Sequence, residues 1–400
     1  MPGPLAGIRV VEMGFWVAGP GAAGVMADWG ADVIKIEPPE GDPMRGMFLN
    51  AAGLDVPINP PFELDNRGKR SMGLNLQHAG GRAIARRLLA GADVFVTNLR
   101  QPALRKFGLS YDDLQVVNPR LVYCGVSGYG TAGDDCDRPA YDVAAYWSRA
   151  GVAASLAPSG AEPPQQRGGM GDHSAALAAV GAVCAALVAR HRTGQGQYVS
   201  TSLLRTGMYV LGWDLSIRLR LGQVAPPYTR STIPNPLVNS YKAGDGRWFW
   251  LVGLQGDRHW PDVVRAVGRP ELLEDARFRD IRVRRKHAAE LVQILDGIFA
   301  TKPLPEWIVI FDRENVWWAP VQTPDEVVSD PQVRAAGGVV VAPVADGEAE
   351  MVASPADFSA TPWMPSRPAP EFAQHTEEIL LEIGYDWDAV ATLKGEGVIP

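Results

Sequence analysis

The first 130 residues alternate between short apolar runs and segments whose apolar residues recur at helical spacing. Short runs rich in Val, Ile and Leu, without polar alternation, are typical of strands buried on both faces of a parallel sheet. We expect strands at 8–13, 31–37, 70–76, 93–99, 121–130 and 196–204. Helices are expected between them, among others at about 22–29 and 80–92. This alternation predicts an open, doubly wound α/β domain whose ligands bind beyond the carboxyl ends of the strands.

The pattern changes after residue 222. Residues 223–239 are rich in proline, and we interpret them as a connector. Beyond it, two runs with alternating apolar residues predict a β-hairpin, and helical segments rich in Arg and Leu follow. We therefore expect a large domain over 1–222 and a smaller α+β domain over 223–325.

Composition and charge exclude several functional classes. The 400 residues include 38 Lys and Arg against 45 Asp and Glu, a net charge of -7, which argues against a nucleic-acid-binding protein. The cysteines, Cys124, Cys136 and Cys184, fit neither a disulfide framework nor a metal site, so we expect a cytoplasmic protein without a bound metal. The apolar stretch 175–189 is short for a membrane span, and we interpret it as a core helix without membrane contact.

A glycine motif follows the first predicted strand. Gly19, Gly21 and Gly24 match the GxGxxG spacing of dinucleotide-binding loops, and Glu37 ends the next strand, where such proteins hold the ribose. On this interpretation the protein would be a dinucleotide-dependent oxidoreductase. The motif should start directly at the strand end, however, and residues 14–18 intervene. Small residues would equally let the first helix pack closely on the sheet, and the intervening loop could form the wall of a ligand pocket.

A carboxylate stands at the start of the longest helical segment. Gly168, Gly169 and Gly171 precede Asp172, and the apolar helix that follows ends near Arg192. We expect Asp172 at the N-cap, where the helix dipole favours its ionised form. A plain cap would explain this residue, but the bare glycine backbone would also let a bulky group reach the carboxylate and offer amides to an oxyanion. Asp172 is therefore a candidate nucleophile, ionised at neutral pH.

Residues 138–151 supply a second carboxylate. Asp142 follows Tyr141, whose hydroxyl could donate a hydrogen bond to a ligand. The segment by itself is typical of a loop followed by a helix that Asp142 caps.

Five collinear segments carry a resemblance to a known family. They are PLAGIRVVEMGFWVAGPGAAGVMADWGADVIKIEPPEGDPMR, NRGKRSMGLNL, DVFVTNLRQPALRKFGLSYDDLQVVNPRLVYCGVSGYG, RPAYD and the block from GD at 171–172 to RHRTGQGQYV. Most of residues 4–207, and more loosely 320–337, resemble the family III CoA-transferases, a group that includes formyl-CoA transferase, carnitine CoA-transferase and the 2-methylacyl-CoA racemases. The resemblance implies a Rossmann-like large domain to which residues 326–400 return, and an interlocked homodimer.

The resemblance also implies sites for an acyl-CoA substrate, with no permanently bound cofactor. Val17 and Ala18 would line the thioester end, and Tyr141 and Asp142 would lie beside it. The residues implied for the nucleotide part are Leu74 and Asn75 at the adenine, Asn98, Leu99 and Arg100 along the nucleotide, and Lys106 and Arg138 at the phosphates. Basic residues concentrate in the same region, and we expect them to form an anion-binding patch: Arg67, Lys69, Arg70, Arg100, Arg105 and Lys106.

The implied reaction is acyl transfer through Asp172. The carboxylate would attack the acyl-CoA, form a mixed anhydride and then a CoA thioester, and pass CoA to a carboxylic acid acceptor. Val17 stands where formyl-CoA transferase has a glutamine, and the tetraglycine loop of that enzyme is missing from the connector, which argues against formate or oxalate. Four aromatic residues indicate a larger apolar or ring-bearing acyl group: Trp16, Tyr146, Trp147 and Trp213.

Two further alternatives share the implied fold. A 2-methylacyl-CoA racemase would need a histidine before the acid, where this chain has Tyr141, a poor base at neutral pH. A supporting glutamate of the racemases falls on Gly256. In a non-catalytic CoA-thioester binder, Asp172 would serve only as a helix cap.

Overall fold

The computed structural model describes residues 3–47, 56, 58–158, 160–224 and 227–400. The chain divides into two compact units. The larger consists of Met1–Ala154, Pro163–Gln223 and Arg334–Pro400, and the smaller of Ser155–Glu162 and Val224–Val333. Residues 225 and 226 of the predicted connector lie outside the described residues.

Six parallel strands form the sheet of the larger unit. They are β1 (Arg9–Met13), β2 (Asp32–Glu37), β3 (Arg70–Gly73), β4 (Val94–Thr97), β5 (Val122–Ser127) and β6 (Tyr198–Ser202). Their order is β3-β2-β1-β4-β5-β6, and every pairing is parallel. The predicted doubly wound sheet is thus confirmed, although the strands are shorter than the apolar runs. The strand order reverses between β1 and β4, the point at which such sheets bind ligands.

Helices cover both faces of this sheet. Successive residues of a strand point to opposite faces of the sheet, and Val10 and Val11 are accordingly buried in two different hydrophobic clusters. Up to residue 223 the helices are α1 (Ala18–Asp28), α2 (Pro60–Asn66), α3 (Ala79–Ala90), α4 (Gln101–Phe107), α5 (Tyr111–Gln115), α6 (Val152–Leu156), α7 (Met170–Thr193), α8 (Leu203–Val210) and α9 (Gly212–Leu221). A 3₁₀ turn spans Pro43–Gly46, and a π-helical segment spans Val143–Arg149.

The first helix begins four residues earlier than predicted, at Ala18, so the glycine motif lies inside α1 and not in a loop. A Cβ on Gly24 would stand 2.6 Å from the main-chain oxygen of Asp65 in α2, and one on Gly21 would stand 3.5 Å from Ala176 in α7. The glycines therefore let α1 pack closely against two other helices. This geometry supports the packing interpretation of the motif.

One helix of the described residues, α7, is long and apolar enough to cross a membrane by length and composition alone, a test that buried core helices also pass. One side of it is buried in the core of the larger unit through Ala175, Ala179, Val183 and Ala186. Packing against α1, β5 and β6 accounts for the apolar residues on that side.

The smaller unit contains an antiparallel sheet of β7 (Val238–Lys242), β8 (Trp248–Val252) and β9 (Trp318–Pro320). β7 and β8 form the predicted hairpin. The helices from residue 256 onward are α10 (Gly256–Val267), α11 (Glu271–Glu274), α12 (Ile281–Lys286), α13 (Ala288–Phe299), α14 (Leu304–Arg313), α15 (Pro324–Ser329) and α16 (Pro331–Ala335). Aromatic rings fill the core of this unit, among them Phe249, Phe299 and Trp307.

The last residues of the chain complete the larger unit. They form a hairpin of β10 (Val339–Val344) and β11 (Gly347–Val352), followed by α17 (Thr376–Glu382) and α18 (Trp387–Gly395). Val398 and Ile399 are buried in the same cluster as β2 and β3. Arg70 at the start of β3 pairs with Glu382 of α17 at 2.6 Å, so α17 is held to the edge of the sheet.

We predict that Gly24→Ala destabilises the protein by about 1–3 kcal/mol, because the new methyl group meets the main chain of α2, which cannot rotate away. Gly297→Ala is the matched control, since a Cβ there has open space within α13. The control should be neutral or stabilise by up to about 1 kcal/mol. Urea unfolding followed by circular dichroism measures both, and equal midpoints for the two variants would contradict the prediction.

Candidate active site

Asp172 is the third residue of α7 and not its N-cap as predicted. The cap is Gly169, which has the left-handed conformation (φ 74°) and, as a glycine, has no side chain that could cap the helix. Glycine adopts this conformation freely, so the helix begins two residues before Asp172. The Asp172 side chain is partly buried in the first turn of the helix. It therefore lies close to the positive end of the helix dipole.

Each of the three glycines before Asp172 has a distinct geometry. Gly168 has open space where a Cβ would stand, and Gly169 provides the left-handed turn. A Cβ on Gly171 would meet Asp142 at 2.2 Å and Tyr146 at 2.3 Å. Only glycine at 171 lets the start of α7 pack against the π-helical segment, and Gly168 leaves the approach to it open.

Asp142 holds the start of α7, the helix that carries Asp172. Its Oδ2 accepts a hydrogen bond from the Gly171 amide at 3.0 Å, and its Oδ1 accepts one from Gln166 Nε2 at 2.7 Å. It makes no capping bond to its own helix, so the predicted local cap is wrong: Asp142 caps a helix that starts 28 residues later. Because both oxygens have protein partners, the direct contribution of this side chain is to position α7 and Asp172.

The loop between β1 and α1 forms an aromatic wall. Trp16 has a left-handed conformation (φ 66°), rare for a residue with a side chain, and its amide donates to Asp42 Oδ1 at 3.2 Å. Its ring contacts the exposed ring of Tyr141 edge to face at 5.7 Å. Val17 follows, and a Cβ on Gly169 would lie 3.8 Å from its Cγ1. The loop thus lies beside the glycine turn that precedes Asp172.

Asn98 fastens this loop to the end of β4. Its Oδ1 accepts from the Phe15 amide at 2.9 Å, and its Nδ2 donates to the Phe15 carbonyl at 2.7 Å. A Cβ on Gly14 would stand only 3.0 Å from the same Oδ1. The side chain that was predicted to follow the nucleotide therefore positions the β1–α1 loop.

A buried charge network lies beneath the loop. Lys35 donates to Glu12, to the Gly14 carbonyl and, at 2.8 Å, pairs with Asp42. Lys69 donates to the other oxygen of Glu12 at 2.9 Å. Burial opposes ionisation of Glu12, but the two ammonium groups outweigh it and hold the pKa of Glu12 below its usual range. Burial lowers the pKa of Lys69 to about 8.

The predicted basic patch is therefore divided. Arg67, Lys69 and Arg70 are buried and paired, with Asp28, Glu12 and Asp32 respectively, so they are not open to an anion. This part of the prediction is wrong, because these residues lie before or at the beginning of β3 and not at its carboxyl end. The remaining basic residues of that set, all exposed, lie beyond the carboxyl end of β4: Arg100, Arg105 and Lys106.

The other residues implied for CoA are spread along the same edge of the sheet. Leu74 is fully buried in the core, so only its main chain could meet a ligand, and the Asn75 side chain donates to the Gly397 carbonyl at 3.2 Å. Leu99 is partly buried beside the same core. Lys106 donates to Gln77, and Arg138 is exposed with a weak pairing to Asp135 at 3.7 Å. Ala18 is buried at the first position of α1.

The aromatic residues predicted to contact the acyl group separate into three environments. Tyr146 and Trp147 are core residues, with 2% and 7% of their surface exposed. Trp213 is 83% exposed on α9. Only Trp16 lies in the wall beside Tyr141.

Burial raises the pKa of Asp172 to about 7, and the charges of Asp142 and Asp65 act in the same direction. The sequence predicts a carboxylate that is ionised at neutral pH, and desolvation and two like charges oppose that ionisation. His173 opposes both effects. Its Nε2 lies 3.0 Å from Asp65 Oδ1, and this bond raises the pKa of His173.

Sequence reasoning missed the His173–Asp65 pair. The two residues are 108 positions apart, and no motif links them. The only signal was the adjacency of His173 to Asp172. Within the described residues, no group of three or more His, Cys, Asp or Glu side chains is arranged to hold a metal ion.

Comparison with known proteins gives consistent matches over nearly the whole chain. The model for CoA-transferase family III matches residues 5–376. The chain is 34% identical to (R)-2-hydroxy-4-methylpentanoate CoA-transferase of Clostridioides difficile, covering 99% of both chains. It is 32% identical to cinnamoyl-CoA:phenyllactate CoA-transferase of Clostridium sporogenes, covering 97% of this chain and 95% of that one. A crystal structure of a CaiB/BaiF family protein from Brucella suis superposes with a TM-score of 0.83 at 28% identity, covering 96% of this chain and 100% of that one.

Proposed function

The chain belongs to CoA-transferase family III and transfers CoA between acyl-CoA thioesters and carboxylic acids; on that premise we propose that Asp172 is its covalent nucleophile. The observation that carries the proposal is the position of this carboxylate in the first turn of α7, directly after a glycine turn with open space at Gly168. The aromatic loop at Trp16 and Val17 lies beside that turn. A thioester carbonyl can reach Asp172 there without meeting a side chain of the glycine turn.

The proposed reaction proceeds in steps that conserve the energy of the thioester. The Asp172 carboxylate attacks the acyl carbonyl, forming an aspartyl–acyl anhydride and expelling the CoA thiolate. The thiolate then attacks the aspartyl carbonyl, which forms an aspartyl–CoA thioester and releases the donor acid. The acceptor carboxylate repeats the two steps in reverse, so that it leaves as the new acyl-CoA and Asp172 is restored. Main-chain amides of the glycine turn, other than that of Gly171, which already donates to Asp142, are the proposed donors for the oxyanions.

The nucleotide of CoA is proposed to lie along the exposed basic residues beyond β4. Arg100 is the N-cap of α4, Lys106 lies in its last turn, and Arg138 precedes Tyr141 in the chain. All three side chains are exposed, so phosphate oxygens can reach their charged groups from the solvent. Main-chain groups at Leu74 and Asn75 remain the candidates for the adenine.

We propose a branched or aromatic acyl group as the natural cargo. Trp16 and Tyr141 form an apolar wall beside Val17, and Met170 and Val143 add exposed apolar surface on either side of the Gly171–Asp142 contact. A carboxylate or formyl group would gain little from such a surface. The names of two relatives, which act on a branched hydroxy acid and on aryl acids, point the same way.

We also propose that the enzyme is a homodimer. Within the described residues, α9 has no buried side chain, and the exposed apolar residues of this region include Tyr209 at 87%, Trp213 at 83% and Leu219 at 82%. Apolar surface of this density is typical of a protein interface. The resemblance to family III CoA-transferases supports a second copy of the chain as the occupant.

The first prediction concerns the nucleophile. Wild-type protein incubated with cinnamoyl-CoA and no acceptor should carry an acyl or CoA adduct on the peptide that contains Asp172, and hydroxylamine should convert it to a hydroxamate that mass spectrometry detects. Asp172→Ala should lose turnover by at least about a thousandfold, as loss of a covalent nucleophile does. It should still bind CoA and keep its fold.

Asp142→Ala is the control for this experiment. It should lower the rate by misplacing α7, but the adduct should remain on Asp172. An adduct on Asp142, or full activity of Asp172→Ala, would show that the wrong carboxylate was chosen. Deuterium exchange at Cα of a 2-methylacyl-CoA, lost in Asp172→Asn, would instead support a racemase.

The second prediction concerns the acyl group. Cinnamoyl-CoA and 4-methylpentanoyl-CoA should exceed formyl-CoA and succinyl-CoA in kcat/KM by about tenfold or more, since burial of several apolar carbons contributes 1–3 kcal/mol. Trp16→Ala should reduce this preference. Trp387→Ala, which removes an exposed indole from α18, should not. A preference for succinyl-CoA that Trp16→Ala leaves unchanged would contradict this prediction.

The third prediction concerns the dimer. One chain has a mass of 43.1 kDa, and sedimentation at micromolar concentration should give twice this mass. The double variant Trp213→Glu/Leu219→Glu should lower this mass, because charges cannot be buried in an apolar interface. Val116→Glu, at an equally exposed site on the end of α5, is the control. A monomeric wild-type protein would rule the proposal out.

A further inference from the structure

His173 is held more tightly than its exposure suggests. Its ring has 45% of its surface exposed, yet a Cβ on Gly169 would stand 3.2 Å from Cε1, and one on Gly21 would stand 3.5 Å from Cδ2. The two glycines therefore clamp the ring between the start of α7 and α1. Its Nε2 faces Asp65 in α2 at 3.0 Å. A carboxylate only accepts hydrogen bonds when ionised, so Nε2 is the donor.

Among the described residues, His173 is the one basic side chain that contacts Asp65 directly, although the charge of Lys69 also acts on it. The Asp65 side chain is 4% exposed, and its Oδ2 has no hydrogen-bond partner among the described residues. Burying such a charge is costly unless a cation lies against it. The imidazolium form of His173 provides a cation in direct contact. The exposed edge of the ring opens into a cavity of about 230 Å³, through which water can exchange its proton.

The charges around His173 are mostly negative. Asp65 faces it from α2, Asp172 precedes it in α7, and Asp142 acts from the segment before the π-helix. Asp28 and Arg67 line the same cavity but pair with each other at 2.7 Å. The positive charge that acts on Asp172 is that of His173.

We propose that His173, clamped by Gly21 and Gly169 and bonded to Asp65, is a positioning residue that holds a positive charge beside Asp172 and so keeps the carboxylate in its nucleophilic form. This inference rests on the proposed role of Asp172 and assigns the residue that makes that role possible near neutral pH. The coupling is reciprocal, since the charge of Asp172 also favours the imidazolium. Acylation of Asp172 removes its charge, and His173 then holds its proton less strongly.

The test follows acylation of Asp172 by cinnamoyl-CoA from pH 5.5 to 9 with intact-mass detection after acid quenching. The wild-type rate should rise with pH and reach half its maximum near 7, because only the carboxylate attacks. In His173→Gln the midpoint should move up by about one unit, so that the rate is about fivefold lower at pH 7 and nearly restored at pH 9. His287→Gln is the control, since this residue of the smaller unit also bonds a carboxylate, Glu290, at 2.9 Å.

A second measurement does not depend on turnover. The imidazole of His173, assigned by its loss in His173→Gln, is titrated by NMR in the wild type and two variants. Asp172→Asn and Asp65→Asn should each lower its midpoint. A His173→Gln rate that is reduced by one constant factor at every pH, or a His173 midpoint unmoved by Asp172→Asn, overturns the inference. If the wild-type protein forms no acyl adduct at any pH, the proposal that Asp172 is the nucleophile fails. The NMR titration still tests the coupling between His173 and Asp172.

Discussion

The position of the β1–α1 loop depends on Glu12, a carboxylate buried inside the sheet. Its two oxygens accept hydrogen bonds from Lys35 and Lys69. Lys35 also donates to the Gly14 carbonyl and forms an ion pair with Asp42 at 2.8 Å, and Lys69 also donates to the Pro20 carbonyl and to Asn66. An ammonium group has three hydrogens, so the three bonds of Lys69 use every donor it has. Removing one partner from such a buried set commonly costs about 3–5 kcal/mol, so the network enforces one geometry more than it adds stability.

That single geometry is passed on to Asp172 through close contacts. Gly14 and Pro20 delimit the loop that carries Trp16 and Val17, and Asn98 closes it from β4. The following helix, α1, then packs against α7 through Gly21, where a Cβ would stand 3.2 Å from Asp65 Oδ1 and 3.5 Å from Ala176. The start of α7 is held from its other side by Asp142. The first turn of α7, which carries Asp172, is therefore held on two sides, and such positioning would suit the proposed attack on a carbonyl.

The same packing disfavours the ionised form of Asp172. Bringing Asp142 and Asp65 close enough to hold α7 and His173 places two negative charges near Asp172, and burial further disfavours its ionised form. The helix dipole and His173 oppose these effects. A raised pKa is compatible with the reaction, because a carboxylate that is less stabilised by its surroundings is a stronger nucleophile once ionised. The site thus balances reactivity against the fraction of the enzyme that is ionised.

Local pattern in the sequence determined the sheet and pointed to Asp172 as the candidate nucleophile. Apolar runs separated by helical segments specify parallel strands, because only strands covered on both faces lack polar alternation, and glycines before an apolar helix mark its start near Asp172. Tertiary structure alone decided which charged residues are available. Lys69 and Arg70 look like anion ligands in the sequence and are buried in ion pairs, while Asp65, which no motif marks, holds His173 from 108 positions away. Such partners are chosen by the packing of distant segments, since the energy of a charge depends on what surrounds it in space and not on its neighbours along the chain.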